Sequence, residues 1–128
     1  MDLGLWCAQQ VQRWGGILEQ PAYSHLWSAA QLPFPDSPVH RSLWSITVDQ
    51  YWWGGPTPKA TWLLFSHIHP RSLQLPIRLR SPSQHGDVWA HLSRRQRSET
   101  PPAFAAWLVA AAKMACLCPE NCQVPQCL

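Results

Sequence analysis

A chain of 128 residues is long enough to bury one core and leaves little room for a second. Only 13% of its residues are charged, about half the ordinary share, while 9 Trp and 13 Pro exceed average usage, so some tryptophans are expected to be exposed or to meet a partner. The net charge of +3 permits contact with phosphate without demanding it. No run approaches the ~18 apolar residues of a membrane span, which argues against a membrane protein, and the amino terminus lacks the basic start and cleavage site of a signal peptide, so the protein is expected in the cytoplasm.

Residues 3 to 14 place Leu3, Cys7, Val11 and Trp14 on one helical face with Trp6 beside them, which predicts an amphipathic helix ended by Gly15 and Gly16. Cys7 on that face reads as packed rather than nucleophilic. Ile17-Leu18 then reads as a very short strand stopped by Pro21, with Glu19 and Gln20 at its carboxyl end. A helix, a glycine stop and a short buried strand favour a layered α/β fold. Tyr23 to Ala30 reads as a second helix, followed by an irregular loop from Gln31 to Ser42 that holds Pro33, Pro35 and Pro38.

The centre of the chain is two β-rich runs. Trp44, Ile46 and Val48 alternate with Ser45, Thr47 and Asp49, a strand with one apolar face, and Thr61 to Phe65 suits a strand buried on both. Between them, Gly54, Gly55, Pro56 and Pro58 make a loop that puts Gln50, Trp52, Trp53 and Lys59 at or near the strand ends. Neighbouring strand residues point to opposite faces, so if the strand extends that far, at most one of Trp52 and Trp53 is expected to be buried by the same layer.

Ser66 to Leu79 is expected to cross the surface, with an extended piece at Leu75 to Leu79, and the basic stretch 80 to 99 is expected to be the most mobile. Thr100 before Pro101 and Pro102 signals a helix start, and Phe104, Trp107, Leu108, Ala111 and Met114 keep helical spacing through Ala115. Residues 1–115 thus read as one α/β domain and 116–128 as a Cys-rich tail.

Glu19, at the end of a strand, can hydrogen-bond a base or an amine and shift protons; the plainer reading is a surface acid. Lys59, Arg94, Arg95 and Arg97 can meet phosphate while Trp52 and Trp53 stack bases, against the plainer reading of a solvated basic loop and core tryptophans. Cys116, Cys118, Cys122 and Cys127 number enough for zinc but lack C-x2-C knuckles, which favours free thiols. His67 and His69 have alternate spacing with no carboxylate or Cys near in sequence, so no metal is assigned to them. Phosphate-binding glycine loops, H-E-x-x-H, G-x-S-x-G and any Pro-Cys dipeptide are absent.

Four segments resemble one family. Trp14-Gly-Gly-Ile-Leu-Glu-Gln-Pro-Ala-Tyr-Ser24, Gln50-Tyr-Trp-Trp-Gly54, Lys59-Ala-Thr-Trp-Leu63 and Arg97-Ser-Glu-Thr-Pro-Pro-Ala-Phe-Ala-Ala-Trp-Leu108 are similar, in order, to the C-terminal half of phage and prophage proteins related to DNA cytosine methyltransferases. In those proteins a strand ends in E-N-P or E-H-P, a hairpin carries Q-x-x-x-G-H and K-x-T-x-L, and a final helix follows R-S-x-T-P-P. The resemblance implies a partial Rossmann-like methyltransferase sheet with flanking helices and a C-terminal helix. Glu19 would hydrogen-bond and help polarise a flipped base, with Gln50, Lys59 and Thr61 beside that pocket. Gln20 stands where the family has Asn or His, and Gly55 where it has the His of G-H.

The family's glycine-rich S-adenosylmethionine loop and Pro-Cys nucleophile precede the E-N-P strand, whereas this chain begins one helix before it. The resemblance therefore implies no methyl transfer and no cofactor for the chain alone, and S-adenosylmethionine only if a separate N-terminal half completes it. A half sheet also exposes an edge that tryptophans, a partner or a second copy must cover. Three readings follow: a DNA-binding remnant or one half of a split methyltransferase; a small phage protein that binds a host protein through a Trp-rich surface; or a fragment with no function of its own.

Overall fold

The computed structural model of the protein describes residues 2–38, 42–75 and 93–115. Helix α1 (Leu3–Trp14) starts where Asp2 Oδ1 accepts from the backbone N–H groups of Gly4 at 2.7 Å and Leu5 at 3.3 Å. It ends at Gly15, whose φ of 89° favours glycine and whose added Cβ would lie 2.9 Å from His67 Nδ1. The expected face holds in its middle, where Cys7 and Val11 pack against the core beside the fully buried Ala8, and is corrected at its ends, where Leu3 is 73% and Trp14 64% exposed. Size decides this. Gly4 and Ala8 let the helix backbone come close to Leu26 and the sheet, and a Trp or Leu stripe would hold it away.

Strand β1 (Gly16–Pro21) is longer than Ile17-Leu18, because Pro21 does not stop it. Ala22 N–H donates to Ala60 O at 3.1 Å, so by alternation the Pro21 nitrogen faces away from the neighbouring strand and no ladder bond is lost. A turn then closes with Ser24 N–H on Pro21 O at 3.2 Å and holds Tyr23 at φ 64°. That conformation costs an L-residue about 1–2 kcal/mol. The turn also shortens the second helix, α2, to Leu26–Ala29.

β2 (Leu43–Asp49) and β3 (Ala60–Ser66) each extend the predicted runs by one residue at both ends. The sheet has the order β1-β3-β2 and both pairings are antiparallel. On one face, Leu18, Trp62 and Leu64 pack with Ala8, Trp27 and Leu32 under α1 and α2. On the other, Trp44, Val48, Leu63 and Phe65 pack with Ile68 and Phe104. The architecture is mixed α/β.

After β3 the chain turns inward rather than along the surface. His67 and Ile68 are buried, and Trp44 Nε1 donates to Ile68 O at 2.7 Å, before a 3-10 turn at Pro70–Ser72. His67 and His69 therefore lie beyond the strand, and among the described residues no three His, Cys, Asp or Glu side chains gather as a metal site. The basic stretch is helical where described: α3 (Arg94–Ser98) starts with a capping box between Ser93 and Gln96. Helix α4 (Pro102–Ala112) has Pro101, not Thr100, at its N-cap; Phe104 and Ala111 are buried and Met114 lies exposed past its end. The predicted extended piece at 76–79, the stretch 80–92 and the Cys tail lie outside the described residues. Among the described residues no helix is long and apolar enough to cross a membrane.

Candidate functional site

β1 and β2 finish where β3 begins, with Pro21 opposite Thr61 and Asp49 opposite Ala60. Asp49 clamps the loop between β2 and β3: its Oδ1 accepts from Tyr51 N–H at 2.9 Å and Lys59 N–H at 2.8 Å. Gln50 N–H donates to Lys59 O at 3.1 Å, and a 3-10 turn (Gln50–Trp53) carries the chain on to Gly54, left-handed at φ 89°. An Asp as the last residue of an alternating strand, directly before a turn, is a sequence signal for such a clamp.

The clamp turns the Gln50 side chain inward, to 1% exposure. Gln50 Nε2 donates to Thr61 Oγ1 at 3.0 Å and reaches Glu19 Oε1 at 3.5 Å, while Thr61 Oγ1 donates to Lys59 O at 3.1 Å. These bonds fix the amide's orientation. Thr61's single hydrogen is used on Lys59, so its oxygen must accept from Gln50, and a carboxylate beside the amide also wants the nitrogen. The amide oxygen Gln50 Oε1 is left with no donor among the described residues. A buried acceptor in that state costs about 1–3 kcal/mol. Glu19 itself is half-buried, opposite Leu63, so its carboxylate can accept an N–H at the edge of the apolar layer.

Glu19, Gln50 and Thr61 thus meet, joined by the main chain of Lys59. Trp53 does not join them. Its ring packs 4.7 Å from Phe104 and 5.1 Å from Trp107, and Trp52 lies 5.9 Å away on the same cluster. The strand does not extend to Trp52 and Trp53: both sit in a 3-10 turn, so strand alternation does not apply and the two pack, partly buried, on one cluster. Arg94 and Arg95 are exposed on α3, where Arg97 also lies, and Arg95 Nε is 3.2 Å from Glu99 Oε1. A cleft of about 260 Å³ between Gly54, Pro56 and the segment Gln96–Pro102 sets α3 beside the loop that follows Gln50. The chain matches no family model, no curated protein and no solved structure.

Proposed function

We propose that the protein is a DNA-binding module whose Glu19–Gln50–Thr61 cluster is the acceptor-side part of a methyltransferase-like pocket, either as a remnant or as one half of a split enzyme. The observation that supports this reading is the meeting of Glu19, Gln50 and Thr61. They come from three separate runs, and the resemblance assigns all three to one pocket. In this reading the antiparallel strands are one part of a Rossmann-like sheet whose remaining strands come from a partner chain. S-adenosylmethionine would belong to that partner, because this sequence has no glycine-rich loop to hold it. Glu19 would accept from the target base, Gln50, itself positioned by Thr61, would hold its carboxylate, and Lys59 with the arginines of α3 would meet phosphate.

Titration of a labelled DNA duplex and of its separated strands at about 50 and 200 mM salt tests the reading: affinity falls steeply with salt if phosphate contacts carry it. Methylation of DNA by the purified chain with S-adenosylmethionine and no partner would overturn the incomplete-enzyme reading. A second reading, docking to a host protein or a second copy, is favoured by Leu3, Trp6 and Trp14 standing exposed on α1. Binding that survives high salt selects it.

A further inference from the structure

Helix α1 and its N-cap carry two charged side chains, Asp2 and Arg13, which stand at opposite ends and are both exposed. Asp2 caps the helix with Oδ1, but among the described residues neither side chain has an ion-pair partner. At ~3.6 residues per turn, with Ala8 against the core, Trp6 points outward from the helix. Leu3 and Trp14 then lie to one side of Trp6, and Asp2 and Arg13 to the other. Trp14 is held in place by its own helix: its Nε1 donates to Gln10 Oε1 at 3.2 Å, and the Arg13 guanidinium lies 4.8 Å from its ring centre. The indole nonetheless stays 64% exposed.

This face is complementary to itself. A two-fold axis across the middle of α1 lays a second α1 antiparallel on the first, and brings together residues at equal distances from the middle and on the same side. Leu3 then meets Trp14 of the second copy, and Arg13 meets Asp2 of the second copy, each contact occurring twice. A parallel pair would set Asp2 against Asp2 and Arg13 against Arg13. The helix dipoles also favour the antiparallel arrangement. The charges thus select both the occupant and its direction, because a partner surface of one sign would suit only one end of this face.

We propose that α1 pairs antiparallel with α1 of a second copy of this chain, through Leu3–Trp14 contacts on one side and Asp2–Arg13 ion pairs on the other. The proposal rests on the docking reading above and commits it to one occupant. One helix face is small beside the ~1,600 Å² of a standard interface, so the dimer is weak and forms at high concentration. Sedimentation equilibrium of the full chain from about 10 μM to about 1 mM reads it, as an average mass that rises above that of one chain. Trp14→Ala removes an exposed ring, so it lowers the association constant about tenfold and leaves the thermal midpoint at low concentration unchanged. Asp2→Asn keeps an N-cap and loses the charge, and it weakens association severalfold, as does Arg13→Gln. Both changes act on one ion pair, so the double variant associates no more weakly than either single one. Effects of Asp2→Asn and Arg13→Gln that add in full overturn the pairing. A dimer that Trp14→Ala leaves unchanged lies on another surface and overturns it too. A single-chain mass throughout overturns the pairing alone, since docking of α1 to a host protein is read separately, by binding that survives high salt.

Discussion

The two faces of the sheet are built to different ends. Under α1 and α2 the buried Trp27 indole N–H is met twice, by Pro33 O and Ser45 Oγ, and the flanking apolar residues come from the first third of the chain and the sheet. The other face joins distant segments through its aromatics: Trp44 stacks on Phe65, Phe65 meets Trp107 edge-on, and Trp53 tilts against Phe104 and Trp107. At one end, that face stops being apolar. Gln50 and Thr61 are buried there beside Glu19, and one amide oxygen has no donor among the described residues. Stability alone favours the first arrangement, and an unmet polar group in a core is the kind of cost that binding sites retain.

Phe104→Ala strikes the aromatic face at its centre and should cost about 3–5 kcal/mol in urea unfolding, with loss of the near-ultraviolet circular dichroism of the Trp53 and Trp107 cluster. A loss below about 1 kcal/mol would mean that this face is not a core at all. Gln50→Glu places a second carboxyl within reach of Glu19 at a position 1% exposed, and should cost about 3 kcal/mol near neutral pH. Burial raises the introduced group's pKa in the folded state, so the deficit is full above that value and shrinks as pH falls; urea midpoints at pH 7 and about 4 measure it. A deficit independent of pH would mean that size, not charge, is at issue.

On the quieter face, Gly15→Ala meets both a φ of 89° and a 2.9 Å approach to His67 Nδ1, for a loss of about 1–3 kcal/mol in thermal unfolding. Arg95→Ala lies outside both faces. Its exposed pair with Glu99 should be worth under about 0.5 kcal/mol, and a larger loss would show that α3 is held by more than its own cap.

Sequence patterns marked where most elements lie and left their environment open. The carboxyl end of α1 was readable from the glycines after Trp14, and Cys7 and Val11 on its packed face from their spacing; Leu3 and Trp14 were not, because hydrophobicity ranks them above Gly4 and Ala8 while close approach favours the small residues. Pro21 looked like a stop because nothing in a single strand says which side of it faces a neighbour. Trp52 and Trp53 could be placed near the strand ends, but not on a common cluster, because the 3-10 turn that puts them there depends on the Asp49 clamp. Glu19, Gln50 and Thr61 could be grouped through the family resemblance alone. Periodicity gives positions along an element, and their meeting depends on how three elements register. Tyr23 gave no signal while it was counted inside a helix.

The order β1-β3-β2 has a kinetic consequence. β2 and β3 are joined by a short clamped loop and can pair early, whereas Pro21 of β1 must wait for Thr61, about 40 residues later in the chain. At ~5–20 residues per second of synthesis, that interval is a few seconds. The strand carrying Glu19 is then the last to dock, and the Glu19–Gln50 contact closes after the transition state. Substitution of Glu19 should therefore accelerate unfolding and leave the refolding rate almost untouched, whereas Gln50, bonded to Thr61 within the early hairpin, should affect both rates.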